Sequence, residues 1–279
     1  MRILVTGAQG QLGQALRAVL AEHTLRLTDL NTADITDRSA IRRVILDFQP
    51  HTVIHTAAMT NVDGCALNPD AAYRVNGLGT RNIALACAEV AAELLYVSTN
   101  EVFDGQKGQP YLELDPPNPI NAYGRSKLAG EQFAQWLCRR FYIVRTAWLF
   151  APGGQNFIHK ILQIADATGQ VRVVTDEVSS PTYVLDLAQA LARLVGSGAY
   201  GWYHFVNDGW CSRYAFAQAI LDCTGRRDVK VLPISHMEFH RPSQPPVYSA
   251  LRNFVGAELG IGLRPWREAL AAYCQAYCT

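Results

Sequence analysis

Tyr123 and Lys127, in the stretch YGRSK, stand four residues apart. On a helix that spacing sets both side chains on one face. A phenol alone is a poor acid–base group at neutral pH, because its ordinary pKa is about 10. A neighbouring ammonium stabilises the phenolate and brings proton transfer nearer the working range. Upstream, Ser98-Thr99-Asn100-Glu101 closes an apolar run. Four polar side chains ending a buried strand line a site better than they build a core. The Thr99 hydroxyl is then a second hydrogen-bond donor to a carbonyl oxygen on which negative charge develops. The trio suits proton delivery to a ketone; an exposed Tyr lying on a Lys stem is the other reading.

A ketone that receives a proton at oxygen needs a hydride at carbon, and the N-terminal segment offers a seat for a hydride carrier. Gly7, Gly10 and Gly13 in TGAQGQLG fall between a β-rich run, Arg2 to Thr6, and a helically spaced one, Leu12 to Leu20. A tight turn and a bare helix N-terminus let backbone N–H groups, here those around Gln11 and Leu12, approach a pyrophosphate. The second strand, Thr24 to Thr28, ends at Asp29, 22 residues after Gly7. A carboxylate there accepts hydrogen bonds from an adenosine ribose diol; a solvated strand end is the alternative. Asp29 repels a 2′-phosphate and no Arg follows at 30–33, so of NADH and NADPH the first is mildly preferred. Asp34 and Ile35 frame the adenine, and Ala57 and Ala58 let a dinucleotide lie over the sheet edge.

The surrounding elements alternate. After the first two strands come an amphipathic helix to Phe48 capped by Thr36 or Asp37, a strand at Thr52 to His55, and a long Ala-rich helix after Pro69. A strand at Leu94 to Val97, a helix from Ala122 to Arg139 and a strand from Tyr142 to Thr146 follow. This order predicts an α/β fold with a doubly wound parallel sheet. Past residue 150, Gly153-Gly154 and the prolines at 181, 233, 242, 245, 246 and 265 shorten the pieces, with strands near 171–175 and 202–206 and helices near 183–195 and 213–224. Residues 1–150 are expected to bind the dinucleotide, with 183–200 packing back onto them. Residues 151–182 and 201–279 form a smaller substrate-binding portion.

Composition narrows the partners. Of 279 residues, 49% are hydrophobic and 18% charged, with a net charge of +1, which leaves no electrostatic footprint for nucleic acid or an anionic membrane. No run reaches the ~18 apolar residues of a membrane span. The glycines of MRILVTGAQG come too early for a signal peptide, and a cytoplasmic location is expected. The seven cysteines form no CxxC and are expected to be reduced thiols. Cys274 and Cys278 suit one helix face, but nothing completes a zinc site, and no metal is expected at Glu177 or Asp186.

Taken in order, strand–GxxGxxG–helix, strand-end Asp, strand–Ser-Thr and YxxxK resemble the extended short-chain dehydrogenases/reductases. Thr99, Tyr123 and Lys127 match that superfamily's catalytic triad, which implies a Rossmann-type fold. Within it, STNEVFDG at 98–105 resembles the STDYVFDG of the dTDP-4-dehydrorhamnose reductase family and the Thr-Asp-Glu run of nucleotide-sugar 4,6-dehydratases. Asn100 stands where both have Asp, which removes the dehydratase's proton donor, and Glu101 stands where the reductases have Tyr. RTAW at 145–148, GQNF at 154–157 and DEVSSPTYVLD at 176–186 resemble further reductase segments. Arg241-Pro242 and the SAL at 249–251 do too, although six residues separate them instead of the family's two. The resemblance implies NAD(P)H-dependent reduction of the 4-keto group of a nucleotide-linked deoxysugar. It assigns Asn100, Glu101, Trp148, Asn156 and Arg241 to the sugar nucleotide and leaves a homodimer open. Trp148 is pocket wall or core, and Asp63 and Asn76 serve the cofactor side or a turn and a cap. A non-catalytic dinucleotide-binding subunit like the methionine adenosyltransferase beta subunit, and a cofactor-retaining epimerase or dehydratase, remain as alternatives.

Overall fold

A computed structural model describes residues 1–153 and 156–277; Gly154, Gln155 and Cys278, invoked above, lie outside the described residues. Six strands, β1 (Arg2–Thr6), β2 (Thr24–Thr28), β3 (Thr52–His55), β4 (Glu93–Thr99), β5 (Phe141–Thr146) and β6 (Gly201–His204), form one sheet ordered β6-β5-β4-β3-β1-β2. Every pairing in it is parallel. The central strands are buried almost throughout, while edge strand β2 alternates between exposed and half-buried positions. That contrast follows from helices covering both faces.

On one face the Gln11–Val19 and Val184–Leu194 helices pack on Ile3, Val5, Leu95 and Val144. On the other, Ile41 and Ile45 of the Arg38–Phe48 helix meet Leu4, Val53 and Leu94. Each such side chain, fully buried, contributes about 1.5–3 kcal/mol. Asp37 caps the Arg38–Phe48 helix by accepting the N–H groups of Ser39 and Ala40. A third core, with Phe150, Ile158, Phe216, Trp266 and Leu270, holds the C-terminal helices over the carboxyl ends of the strands.

Three expectations need correction. The sequence assigns residues 201–279 to the substrate portion, yet Gly201–His204 pairs with Phe141–Thr146 as the sixth strand of the large sheet. The long helix after Pro69 runs without interruption to Glu89 but is not α-helical throughout: Pro69–Ala72 passes into a π-helical segment, Tyr73–Gly79, and then into Thr80–Glu89. Cys223 and Cys274 form a disulfide between the Arg213–Cys223 and Trp266–Tyr277 helices, with Cα atoms 6.2 Å apart. Helix packing brings together two cysteines whose 51-residue separation gives no hint of pairing. Cys65, Cys87, Cys138 and Cys211 are free and buried. Among the described residues, no helix is long and apolar enough to cross a membrane.

Candidate active site

In the sheet, β1 lies between β2 and β3, so the chain turns opposite ways after successive strands and opens a crevice at their carboxyl ends. A cleft of about 1390 Å³ runs from there to the ends of β4 and β5. Gly7 sits in it with φ 71°, and a side chain at Gly7 would bring a Cβ within 2.7 Å of the Ala57 nitrogen. Only glycine suits that backbone and that approach. Gly10 caps the Gln11–Val19 helix without a side-chain acceptor. Among the described residues the first-turn amides of Gln11, Leu12 and Gly13 therefore meet no capping side chain, and all three residues line the cleft. The Gln11 amide side chain reaches across to the Gly153 carbonyl at 2.9 Å.

Asp29 follows β2. One carboxylate oxygen accepts the Gln9 N–H at 2.8 Å and the other the Leu30 N–H at 2.8 Å. It lines the cleft with Asp34, Ile35, Ala57 and Ala58. Asp34 also accepts the Thr36 N–H at 2.8 Å. The π-helical segment presents Asn76, whose amide accepts the Met59 N–H at 2.8 Å and donates to Ser126 at 2.9 Å. Asn76 thus ties the loop after β3 to the Ala122–Leu137 helix.

Thr99, Tyr123 and Lys127 all line the other half of the cleft. Thr99 ends β4, and Tyr123 and Lys127 lie in the first turns of the Ala122–Leu137 helix. Asn121 starts that helix, its side-chain oxygen accepting the Gly124 N–H at 2.8 Å. Burial, then the negative charge of Glu101, push the Tyr123 phenol well above its ordinary pKa, while a hydrogen bond with Thr99 opposes them. Burial is thus the leading influence on the phenol, ahead of neighbouring charge. The Lys127 ammonium donates to the Val97 carbonyl at 2.7 Å and lies 4.2 Å above the Tyr96 ring. Burial pulls its pKa down to about 7, against the charge of Glu131.

The remaining predicted residues divide. Glu101, Trp148, Asn100 and Asn156 line the cleft; Arg241 does not. Its guanidinium instead donates to Asp63 at 2.9 Å, captured by the neighbouring Val62–Leu67 helix. The Asn100 amide donates to Ser249 at 2.7 Å and Ser179 at 3.2 Å, clamping two distant loops. Asn156 caps the Phe157–Thr168 helix and donates to the Ala151 carbonyl at 2.6 Å. Trp148 holds a left-handed backbone, φ 41°, a strained setting for a bulky residue that recurs at functional sites. Its ring stacks under the Arg213 guanidinium at 3.6 Å.

Sequence reasoning passed over Asn121, Arg213 and Thr146. Asn is a preferred helix cap, so NAYGRSK carried a signal for the first. Arg213, a lone charge in sequence, carried none. Thr146 pairs in register with Thr99 and lines the cleft, with a buried hydroxyl that has no partner among the described residues. No three metal-ligating side chains cluster among those residues; Asp186 pairs with Arg264 at 2.8 Å.

The family described as RmlD substrate binding domain matches residues 1–279. A dTDP-4-dehydrorhamnose reductase of Mycobacterium tuberculosis is 41% identical over 279 residues, covering 97% of this chain and 91% of its own. The crystal structure of a Clostridium acetobutylicum dTDP-4-dehydrorhamnose reductase superposes with TM-score 0.95 at 40% identity, over 99% of each chain. That of the Bacillus anthracis dTDP-4-dehydrorhamnose reductase in complex with NADP gives TM-score 0.95 at 38% identity, again over 99% of each. A match along the whole chain, with relatives this similar from end to end, makes this protein a member of the RmlD substrate binding domain family, among homologues named dTDP-4-dehydrorhamnose reductase.

Proposed function

We propose that the protein reduces the 4-keto group of a nucleotide-linked deoxysugar, as a dTDP-4-dehydrorhamnose reductase does, using NADH or NADPH. The observation that carries this reading is one cleft lined at one end by the glycine turn and at the other by Thr99, Tyr123 and Lys127.

The residues present fit a dinucleotide. A Cβ at Gly7 would fill the cradle, and the uncapped helix start offers amides to a pyrophosphate. Asp29 stands at the adenosine end and accepts ribose hydroxyls. When bound, the reduced nicotinamide supplies the hydride. Tyr123, buried beside Glu101, keeps its proton at neutral pH and delivers it to the carbonyl oxygen. Thr99 donates a second hydrogen bond to that oxygen as it becomes negative. Lys127 keeps one N–H on Val97 and has two more for ribose hydroxyls. Asn100 carries an amide, which is no general acid, and its N–H groups are committed to Ser179 and Ser249, so it cannot serve an elimination of water. The sugar-nucleotide substrate follows from the names of the relatives, and a cytoplasmic homodimer, checked by light scattering and fractionation, completes the proposal.

The test is cofactor oxidation, followed at the nicotinamide absorbance, on adding dTDP-4-dehydrorhamnose. Turnover that Tyr123→Phe abolishes supports the reading. No turnover with any keto-sugar nucleotide, or turnover unaffected by that change, ends it.

A further inference from the structure

Glu101 has one oxygen fixed and one free. Its Oε2 accepts the Asn121 amide N–H at 2.7 Å, and among the described residues Oε1 takes no hydrogen bond and is not sealed off by protein. The residue lines the cleft together with Thr99 and Tyr123. Its backbone is equally constrained: the Glu101 N–H donates to the Thr99 hydroxyl at 3.2 Å. Its carbonyl lies so close to Gly124 that no Cβ fits there. Asn121 holds the arrangement from the other side, since the same amide also donates to the Gln244 carbonyl at 3.2 Å while its oxygen caps the Tyr123 helix.

An anchored carboxylate with one free oxygen, two residues from the hydroxyl that meets the reacting carbonyl, is an acceptor aimed at a donor on the substrate. We propose that Glu101 determines substrate specificity by accepting, through Oε1, a hydrogen bond from a sugar hydroxyl neighbouring the carbonyl to be reduced. The preferred substrate is then a keto-sugar that keeps that hydroxyl, and the analogue deoxygenated there is a poor one. The inference rests on the reductase reading and names the substrate class within it. Asn121 is the positioning residue, because its amide decides which Glu101 oxygen stays free. The other charged groups around the carboxylate are Arg213, Arg241 and Glu177. Arg241 is held by Asp63 and Arg213 lies beside Glu177, so neither guanidinium bonds the free oxygen.

The anchor makes the test sharp. In Glu101→Gln the Asn121 N–H still demands an oxygen, which turns the new amide nitrogen toward the cleft and replaces an acceptor with a donor. The measurement is kcat/KM for two nucleotide-linked keto-sugars, one carrying and one lacking the neighbouring hydroxyl, in wild type, Glu101→Gln and Asn121→Ser. A hydrogen bond to a charged acceptor predicts a wild-type preference of roughly 10- to 100-fold, which Glu101→Gln collapses toward one by raising KM for the hydroxylated sugar alone. Asn121→Ser keeps a helix cap, lets the carboxylate swing, and reduces the preference part of the way. A wild type indifferent to the hydroxyl, or a Glu101→Gln variant that loses both substrates in parallel, overturns the proposal. Should Glu101→Gln fail to fold, Asn121→Ser decides: a reduced preference supports the proposal and an unchanged one overturns it. Full activity of Tyr123→Phe sinks the reductase reading itself, whatever the preference.

Discussion

At the glycine end of the cleft the groups offered to a ligand are backbone amides, set by the turn at Gly7 and the start of the Gln11–Val19 helix. At the other end they are side chains: Thr99 and Glu101 come from the end of β4 and the turn after it, Tyr123 from the first turn of a helix and Trp148 from the segment after β5, with Asn121 holding Glu101. A backbone cradle reads any dinucleotide the same way and depends on a few glycines. A side-chain pocket is altered by single substitutions. The fold can therefore keep its hydride chemistry while substrate choice shifts.

The comparison breaks most visibly at Tyr123. Tyr123→Phe should lower turnover by about 10²- to 10⁴-fold and leave cofactor binding, followed by thermal shift, unchanged. Gly7→Ala is the converse experiment. Its left-handed φ and the contact with Ala57 predict a stability loss on the order of 1–3 kcal/mol. In urea melts that loss should accompany weakened dinucleotide binding, while nucleotide-sugar binding to the folded fraction persists.

Lys127 stands at the same end as Tyr123, and its effect depends on pH. Its folded pKa of about 7 is below that of the unfolded chain, so between about pH 7 and 10.4 the unfolded state binds more protons. Stability from this group therefore rises with pH across that window. From pH 7 to 9 the cofactor-free wild type should gain on the order of 2 kcal/mol relative to Lys127→Met, measured by urea melts at both pH values. The smallest effect belongs to Asp29. Asp29→Asn removes a charge near a ribose 2′-phosphate, worth about 1 kcal/mol in water, and should shift the ratio of KM values toward NADPH by roughly fivefold.

What could be read from the sequence follows the same division. β1, the glycine turn and Asp29 lie within 28 residues of one another and leave local signals of period and spacing. Tyr123 and Lys127 share one helix, so a spacing of four sufficed. The parallel, doubly wound sheet followed from alternating apolar strands and amphipathic helices. Local signals failed where long-range packing decides. Arg213 reaches Trp148 across 65 positions, and Asn100 reaches Ser249 across 149; neither leaves a periodic trace. The π-helical turn around Asn76 lay hidden in an ordinary Ala-rich pattern. Arg241 is held by Asp63, 178 residues away, a pairing that no local pattern announces.

The sixth strand constrains how the molecule is made. Since Gly201–His204 covers the outer edge of Phe141–Thr146, a nascent chain that has emerged only to residue 150 carries an unpaired, apolar strand border. Until some fifty further residues follow, that border is open to pairing with another chain. A fragment cut at 150 inherits the same hazard and should aggregate where the full-length chain stays dispersed.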